Sequence, residues 1–456
     1  MASSTLAIGT GGYELLDLLD STGQKASGPL STNPDTLNAG SSDSRNQAVI
    51  RGNGSRLTIK SVDGRNGVLT NLGLGIDGGS AYDNNNTNIF SNVSEFTAIQ
   101  GGLNDTLSIF GNVSGAQIFT DEGVIPPNGS SLINNSQGNA GNDLLRIKGN
   151  LGGSSNSSNR STIYTDDGND TIRIGGDVDN TDIFLGNQDD QIDIKGNVSN
   201  TYISTDGSGS YYVDTSGNRI STDDASEGNG NDVVRVRGSV SNTVIQTQAG
   251  NDTLLFGNTF EGSIEAGEGQ DSIVFNNDIY NSEINTGNQS DTISILGNVV
   301  GSSFYLGNDS NDGDKLSFAS NSDFLDSSIE SNNLGGDTLI FGSGSFFDNT
   351  SLVNGSGADS LVFGSNSTFV DSSFVTGAGG DTLVFGSDTM FDNSGLNLGG
   401  SGSNRIYFAS EQSDLSGLSI TGATSTDTLI IGSIEYGWNG SNFENDGGSI
   451  WSAYYS

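Results

Sequence analysis

A short alternation of polar and apolar positions returns along most of this chain. An acidic residue is followed by apolar side chains two and four positions later, as in Asp170, Ile172 and Ile174. Because alternate residues of a strand point to opposite faces, this pattern predicts a β-strand with one buried face. We call the residue that precedes the alternation the anchor, and 14 anchors occur: Asp105, Asp143, Asp170, Asp190, Asp232, Asp252, Asp271, Asp291, Asp314, Asp337, Asp359, Asp381, Asn404 and Asp427.

A second, weaker apolar pair follows most anchors, for example Val198 and Ile203 after Asp190. Each repeat therefore holds two short strands and two turns. From Asp232 onward the anchors are spaced by about 19–23 residues, a period typical of one coil of a β-solenoid. The sequence predicts an all-β fold, a single-chain parallel β-solenoid of about 14 coils of about 19–23 residues with two short strands each.

The repeat lengthens near position 310. In the earlier coils the second apolar pair begins at the eighth position after the anchor, as Val299 does after Asp291. In the later coils it begins at the tenth position, as Phe324 does after Asp314. The same turn is therefore longer in each later coil, which predicts a wider cross-section. The later coils also predict a stacked file of core phenylalanines: Phe318, Phe341, Phe363, Phe385 and Phe408.

Three parts of the chain follow from this pattern. Residues 101–432 are expected to form the solenoid, with surface loops where the repeat is interrupted at 121–138, 151–160 and 206–229. Residues 1–100 show weak echoes of the repeat and hold 6 of the 16 basic residues, which suggests an irregular start, a cap or an attachment region. Residues 433–456 leave the repeat and concentrate aromatic side chains, which suggests a cap over the last coil or an interface.

Composition narrows the possible functions. The net charge of −39, from 55 acidic and 16 basic residues, argues against nucleic acid or an anionic bilayer as a partner. The chain has no histidine and no cysteine, which excludes Ser-His-Asp triads, histidine-ligated zinc and thiolate chemistry. No stretch approaches the roughly 20 apolar residues of a membrane span, so membrane insertion is not expected. We therefore expect a protein that is not an enzyme.

The turns before several anchors carry glycines at alternate positions, as in "EAGEGQD", "VNGSGAD" and "VTGAGGD". These turns resemble the RTX (repeats-in-toxin) motif GGxGxDxUx, in which stacked turns of a parallel β-roll hold calcium. The resemblance implies calcium as a cofactor, held by carboxylate and carbonyl oxygens. The residues that match the motif, with the anchors of "TDDGND" and "TQAGND" added, are Gly267, Gly269, Asp271, Gly355, Gly357, Asp359, Gly377, Gly379, Asp381, Asp170 and Asp252.

This coil departs from the RTX pattern because it has one acidic turn instead of two. A short coil with a single acidic turn is closer to the repeats of calcium-dependent bacterial ice-adhesion proteins. The threonine of their ice-facing array is missing from turns such as "QAGND", so ice binding is not predicted. An alternative to calcium also stays open, namely a ladder in which the aspartates accept hydrogen bonds from backbone amides.

The expected function is that of a non-catalytic structural or adhesive rod on an exterior surface. It would be extracellular, on a bacterial surface as a surface-layer, filament or adhesin component, or on a virion as a fibre, spike or decoration. Homo-oligomer or lattice contacts through the chain ends, and binding to surface polysaccharide, are the expected partnerships. Two alternatives remain: a polysaccharide-degrading β-helix enzyme that uses Asp pairs, and a calcium-dependent secreted binding module.

Overall fold

The computed structural model describes side chains at residues 92, 98, 104–120, 141–153, 160–206, 230–307, 313–331, 334–410 and 413–451, and elsewhere only the backbone of strands. Within these residues every regular element is a β-strand, and no helix there could span a membrane. The chain divides into two compact units, Met1–Ala249 and Gly250–Ser456. Each unit contains parallel β-solenoid coils.

The strands that follow the anchors form one parallel sheet in each unit, which we call the anchor sheet. Neighbouring strands pair without offset, so that Ile109, Ile147 and Ile174 lie opposite one another. The anchor strands of the first unit are Thr106–Ile109, Leu144–Ile147, Thr171–Ile174, Gln191–Ile194 and Val233–Val236. Those of the second unit are Thr253–Phe256, Ser272–Phe275, Thr292–Ile295, Lys315–Phe318, Thr338–Phe341, Ser360–Phe363, Thr382–Phe385, Arg405–Phe408 and Thr428–Ile431.

The other side of each coil forms a second parallel sheet, the facing sheet. In the first unit its strands are Val113–Ser114, Gln117–Phe119, Leu151–Gly152, Ser161–Tyr164, Val178–Asp179, Thr181–Phe184, Val198–Ser199, Tyr202–Ser204 and Val240–Gln246. In the second unit they are Phe260–Glu265, Ile279–Tyr280, Glu283–Asn285, Val299–Val300, Ser303–Tyr305, Asp323–Leu325, Ser328–Glu330, Phe346–Asp348, Ser351–Val353, Thr368–Val370, Ser373–Val375, Met390–Asp392, Ser394–Asn397 and Leu418–Thr421.

The predicted second strand of most coils is bent into two segments. A residue in the left-handed region separates them, such as Asn180 with φ 49° or Asn349 with φ 51°. Asparagine and aspartate tolerate this conformation better than other side chains, because they can hydrogen-bond locally. The bend lets one coil present two short facing segments instead of one.

The core confirms the predicted inward positions. The residues two and four after each anchor are buried in every coil except the last, where Ile431 is half-buried. The phenylalanine file is also present, with ring centroids 5.0 Å apart between Phe341 and Phe363 and again between Phe363 and Phe385. A second file of phenylalanines, from the facing sheet, packs edge to face against the first. For example, the ring centroids of Phe369 and Phe363 are 5.0 Å apart.

The structure shows where the additional residues of the later coils lie. Val299 and Phe324 lie opposite each other in the facing sheet, although one is the eighth position after its anchor and the other is the tenth. The additional residues therefore lie in the turn between the sheets. Left-handed residues occupy this turn in the later coils, including Asn321, Gly344, Asn366 and Asp388.

The C-terminal segment adds antiparallel strands to the last anchor strand. Ile434–Trp438 pairs with Thr428–Ile431, and Phe443–Glu444 and Ile450–Trp451 follow in turn. Phe443 is buried, with its ring 5.1 Å from Trp438. These strands pair the edge that the last coil would otherwise leave open. A role as an interface stays a prediction.

The first hundred residues contribute backbone strands. Leu57–Ile59 pairs in parallel with Asn86–Ile89, which pairs in parallel with Thr106–Ile109. Their further strands are Ser4–Ile8, Tyr13–Leu19, Thr36–Ala39, Gln47–Gly52, Val68–Leu72, Val93–Ser94 and Thr97–Gln100. A capping or attaching role for this region stays a prediction.

The three predicted loops are described only in part. Residues 121–138 lie outside the described residues. Within 151–160, Leu151–Gly152 is a strand and 154–159 lie outside the described residues. Within 206–229, Tyr211–Val213 pairs antiparallel with Arg219–Ser221.

Candidate functional site: the aspartate ladder

The anchor side chains are buried and linked from coil to coil. The backbone N–H of Asp143 donates to Oδ1 of Asp170 at 2.7 Å, and the N–H of Asp170 donates to Oδ1 of Asp190 at the same distance. Four such bonds occur in the first unit and eight in the second, with N···O distances between 2.7 and 3.0 Å. We call this continuous series in each unit the aspartate ladder.

The position of the anchor explains the ladder. The anchor is the residue at which the turn joins the anchor strand, so its N–H points along the stack. A short side chain with an acceptor oxygen in the next coil satisfies this buried donor. Asn404 does the same, because its Oδ1 accepts the N–H of Asp381 at 2.9 Å. The ladder therefore requires an acceptor oxygen at the anchor, and the negative charge is a separate feature.

The second carboxylate oxygen, Oδ2, distinguishes six anchors from an ordinary capped turn. Oδ2 is buried and makes no hydrogen bond of good geometry with any described residue at Asp143, Asp170, Asp190, Asp291, Asp359 and Asp381. The side chains of Asn354 and Thr376 face Asp359 and Asp381 and lower the pKa of these carboxyls as hydrogen-bonding neighbours, although neither contact has good hydrogen-bond geometry. Asp337 is satisfied differently, since its Oδ2 accepts the hydroxyl of Ser331.

Burial sets the protonation behaviour of these carboxyls. Desolvation is the main cause that raises the pKa of Asp170 to about 8 and that of Asp291 to about 9, with neighbouring ladder carboxylates adding to it. The same causes raise the pKa of Asp190 to about 11, where Asp170 and Asp232 are the nearest like charges. Burial likewise raises the pKa of Asp143 and Asp359 to about 7. Each of these sites therefore favours a proton or a cation over a bare negative charge.

The glycines of the predicted calcium turns allow the turns of adjacent coils to stack closely. Gly379 has φ 151°, and a Cβ at this position would lie 1.6 Å from the carbonyl oxygen of Gly357 in the preceding coil. Gly269 has φ 143° and would meet the carbonyl oxygen of Gly250 at 1.5 Å. The turn carbonyls also accept hydrogen bonds between coils, as Gly355 O does from the Ala378 N–H at 3.1 Å.

The predicted metal residues are thus placed in pairs along the stack. Asp359 and Asp381 are adjacent in the ladder, as are Asp252 and Asp271, whereas Asp170 belongs to the first unit. Gly267 and Gly377 take left-handed conformations beside these anchors. No three carboxylates converge on one point in the described ranges. Each coil offers one anchor carboxylate, so an ion held by two anchors would bridge successive coils.

Sequence reasoning missed two further ladders. The "GN" turns form one, in which the N–H of Asn150 donates to Oδ1 of Asn112 at 2.9 Å and that of Asn197 to Oδ1 of Asp177 at 2.8 Å. Buried hydroxyls form another, in which the Ser372 N–H donates to Oγ of Ser394 at 3.2 Å. The recurring Asn or Asp at the seventh position after the anchor was the available signal for the first.

The fold and the ladder define the chain as a β-solenoid protein, which agrees with the RTX-like β-roll at the level of fold only. No protein-family model and no curated protein matches the chain. Among solved structures it is similar to a hyperactive, Ca²⁺-dependent, β-helical antifreeze protein from an Antarctic bacterium, with 17% identity, a TM-score of 0.40, and coverage of 82% of this chain and 96% of that chain. At this TM-score the similarity supports no conclusion about this chain.

Proposed function

We propose that this chain is a non-catalytic structural and adhesive solenoid, displayed on the exterior surface of a bacterial cell or a virus particle. The observation that supports this most is the aspartate ladder. Without histidine or cysteine, an enzyme of this composition would depend on carboxylates. In the ladder eleven anchor carboxylates each accept a backbone N–H of the neighbouring coil, so they hold the stack together.

The glycosidase alternative receives no support from a surface hollow of the first unit. Asp177 and Asp179 line it together with residues such as Asn112, Leu151 and Ser199, and none of its lining residues is aromatic. Both carboxylates accept hydrogen bonds from the adjacent coil, Asp177 from the N–H of Asn197 and Asp179 from the hydroxyl of Ser199. A carboxylate pair across a sugar-binding cleft is what a glycosidase would need instead.

Immunogold labelling tests the exterior location. Antibodies raised against the purified chain should label intact cells or particles without permeabilisation. Release of reducing ends from a panel of polysaccharides tests the absence of catalysis. Label found only after permeabilisation, or reducing ends released by the wild type but not by Asp177→Asn/Asp179→Asn, would contradict the proposal.

Calcium dependence is the second candidate property, and the unsatisfied Oδ2 atoms favour it. The pair Asp359 and Asp381, with oxygens of Asn354 and Thr376 beside them, offers the all-oxygen set that calcium prefers. These are fewer than the six to eight oxygens that calcium takes, so a proton competes as the occupant of Oδ2. A cation held there would neutralise two stacked carboxylates and join adjacent coils.

A further inference from the structure

The outward side of the first unit's anchor sheet carries a concentration of positive charge. Positions one, three and five after each anchor lie on this side, because positions two and four are buried. Five of the six basic side chains there are exposed and Arg235 is half-buried. We call these six residues the cationic face: Arg146, Lys148, Arg173, Lys195, Arg235 and Arg237.

The stacking of the coils brings these side chains into line. Arg146 lies directly opposite Arg173 in the parallel register, Arg173 opposite Asp193, and Asp193 opposite Arg235. Adjacent strands are about 4.8 Å apart, so from Arg146 to Arg235 the row extends about 15 Å along the stacking direction. Two positions further along the chain in three of these coils lie Lys148, Lys195 and Arg237.

The described residues leave most of this charge without a carboxylate on the same face. Asp193 is the only acidic residue among the 15 outward positions of the five coils. It is paired with Arg237, whose guanidinium lies 3.0 Å from its Oδ2. Lys148 Nζ lies 4.3 Å from the ring centroid of Phe110, and the Lys148 side chain is exposed.

This concentration contrasts with the rest of the molecule. The second unit has 27 acidic and 2 basic residues, whereas the first has 28 acidic and 14 basic residues. The outward positions of the second unit's anchor sheet hold only Lys315 and Arg405 as charged residues, among threonine, serine, glycine and mostly aliphatic side chains. The same sheet position is therefore cationic in one unit and almost neutral in the other.

Arg146 and Arg173 are like charges directly opposite each other, which is destabilising on a sheet, so the stability of the fold does not explain why both lie in this row. A linear anion placed along it would remove the repulsion. Guanidinium groups also bind carboxylate and sulfate in a bidentate manner. A row on an open sheet suits an extended ligand, whereas a small anion would be held by groups that converge on one point.

We propose that the cationic face binds a linear anionic polysaccharide, which lies along the stacking direction and places its carboxylate or sulfate groups on successive coils. One acidic group per sugar unit provides the regular charge spacing that the coils repeat. A nucleic acid fits less well, because the 15 outward positions offer one aromatic residue, Phe110, on which bases could stack.

The biological meaning of this inference rests on the proposed adhesive function, but its test does not. Full-length protein is passed over immobilised polyuronate, sulfated dextran and neutral dextran in buffer without divalent cations. We expect retention on both anionic polymers and none on neutral dextran. Arg146→Gln/Arg173→Gln should lower the affinity about tenfold or more, and should reduce the slope of log affinity against log salt by roughly two, as expected when two counter-ion-releasing contacts are lost.

Lys315→Gln/Arg405→Gln is the matched control, because it removes the same charge from the corresponding sheet of the second unit. It should change the affinity less than twofold, and neither double variant should melt at a lower temperature than the wild type. Equal losses in the two variants, or no retention of the wild type, would overturn the inference and leave the surface location untouched. The inference would also be overturned if the protein bound duplex DNA more tightly than the anionic polysaccharides. The same holds if sedimentation showed self-association that only Arg146→Gln/Arg173→Gln abolishes.

Discussion

The backbone N–H of Asp170 donates a 2.7 Å hydrogen bond to Oδ1 of Asp190 in the next coil, while Oδ2 of Asp190 is buried without a hydrogen bond to any described residue. Oδ1 of this carboxylate therefore stabilises the stack, whereas Oδ2 can still bind a proton or a cation. This division means that the acceptor and the charge of an anchor can be tested separately.

Replacement of one ladder carboxylate should separate these two contributions. Asp190→Asn keeps an acceptor for the Asp170 N–H and removes the buried charge, as Asn404 does naturally. We expect its free energy of unfolding at pH 8 to equal or exceed that of the wild type. Asp190→Ala leaves the Asp170 N–H unsatisfied and should cost about 1–3 kcal/mol. Urea denaturation measures the free energy of unfolding of both variants. Equal losses of this free energy in the two variants would contradict a ladder based on Oδ1.

The ladder also predicts an unusual dependence of stability on pH. Burial raises the pKa of Asp170 from 3.8 to about 8 and that of Asp291 to about 9, so the folded state binds more protons than the unfolded state. Protonation of these carboxyls therefore stabilises the folded state relative to the unfolded state. This contribution to the free energy of unfolding is fully present below pH 3.8 and is lost as the pH rises towards 8 and 9. The melting temperature in chelator should therefore fall between pH 5 and pH 9. Asp170→Asn/Asp291→Asn should flatten this decline, and a melting temperature that rises with pH would be inconsistent with protonated anchors.

Calcium should act on the same oxygens as protons. At pH 8, millimolar calcium should raise the melting temperature and chelator should lower it, whereas at pH 5 protons should reduce both effects. Asp359→Asn/Asp381→Asn should lower the calcium bound per chain in equilibrium dialysis. The control Asp371→Asn/Asp388→Asn changes two exposed aspartates in left-handed positions that asparagine tolerates, and should not. Chelator-insensitive melting at pH 8 would leave protons as the occupants.

Truncation of the phenylalanine file should be costly. Phe363 stacks 5.0 Å from Phe341 and from Phe385 and is 1% exposed. Phe363→Ala should reduce the free energy of unfolding by about 3–5 kcal/mol, because it opens a cavity that its neighbours cannot fill. Met390→Ala, at a residue that is 50% exposed in the same unit, should change it by less than about 0.5 kcal/mol. Similar effects in both variants would argue against a packed file.

The glycine requirement of the acidic turn can be tested against a glycine of the facing sheet. Gly379→Ala places a methyl group where the Gly357 carbonyl lies, at a φ that alanine rarely adopts, and should destabilise the protein by more than about 1 kcal/mol. No other atom would lie within 4 Å of a Cβ at Gly395, so Gly395→Ala should be close to neutral. Thermal unfolding compares the two variants, and tolerance of Gly379→Ala would mean that adjacent turns are not in close contact.

The sequence by itself determined which residues form strands and which side chains enter the core. Apolar positions two and four after each anchor are a local period, and the pleat of a single strand converts that period into an inward face. The phenylalanine file and the longer turn before Phe324 could be predicted for the same reason. The acidic turn was visible too, and its sequence favoured calcium slightly while leaving a hydrogen-bonded ladder open as the alternative.

Only the tertiary structure decided which atoms meet between coils. Asp190 and Asp232 are linked although they are 42 residues apart, because an insertion separates them in sequence and the stack brings them together. Arg146, Arg173 and Arg235, each at the third position after its anchor, lie in one row for the same reason. Contacts between coils depend on the register of the stack, and that register is fixed by the packing of every core side chain at once.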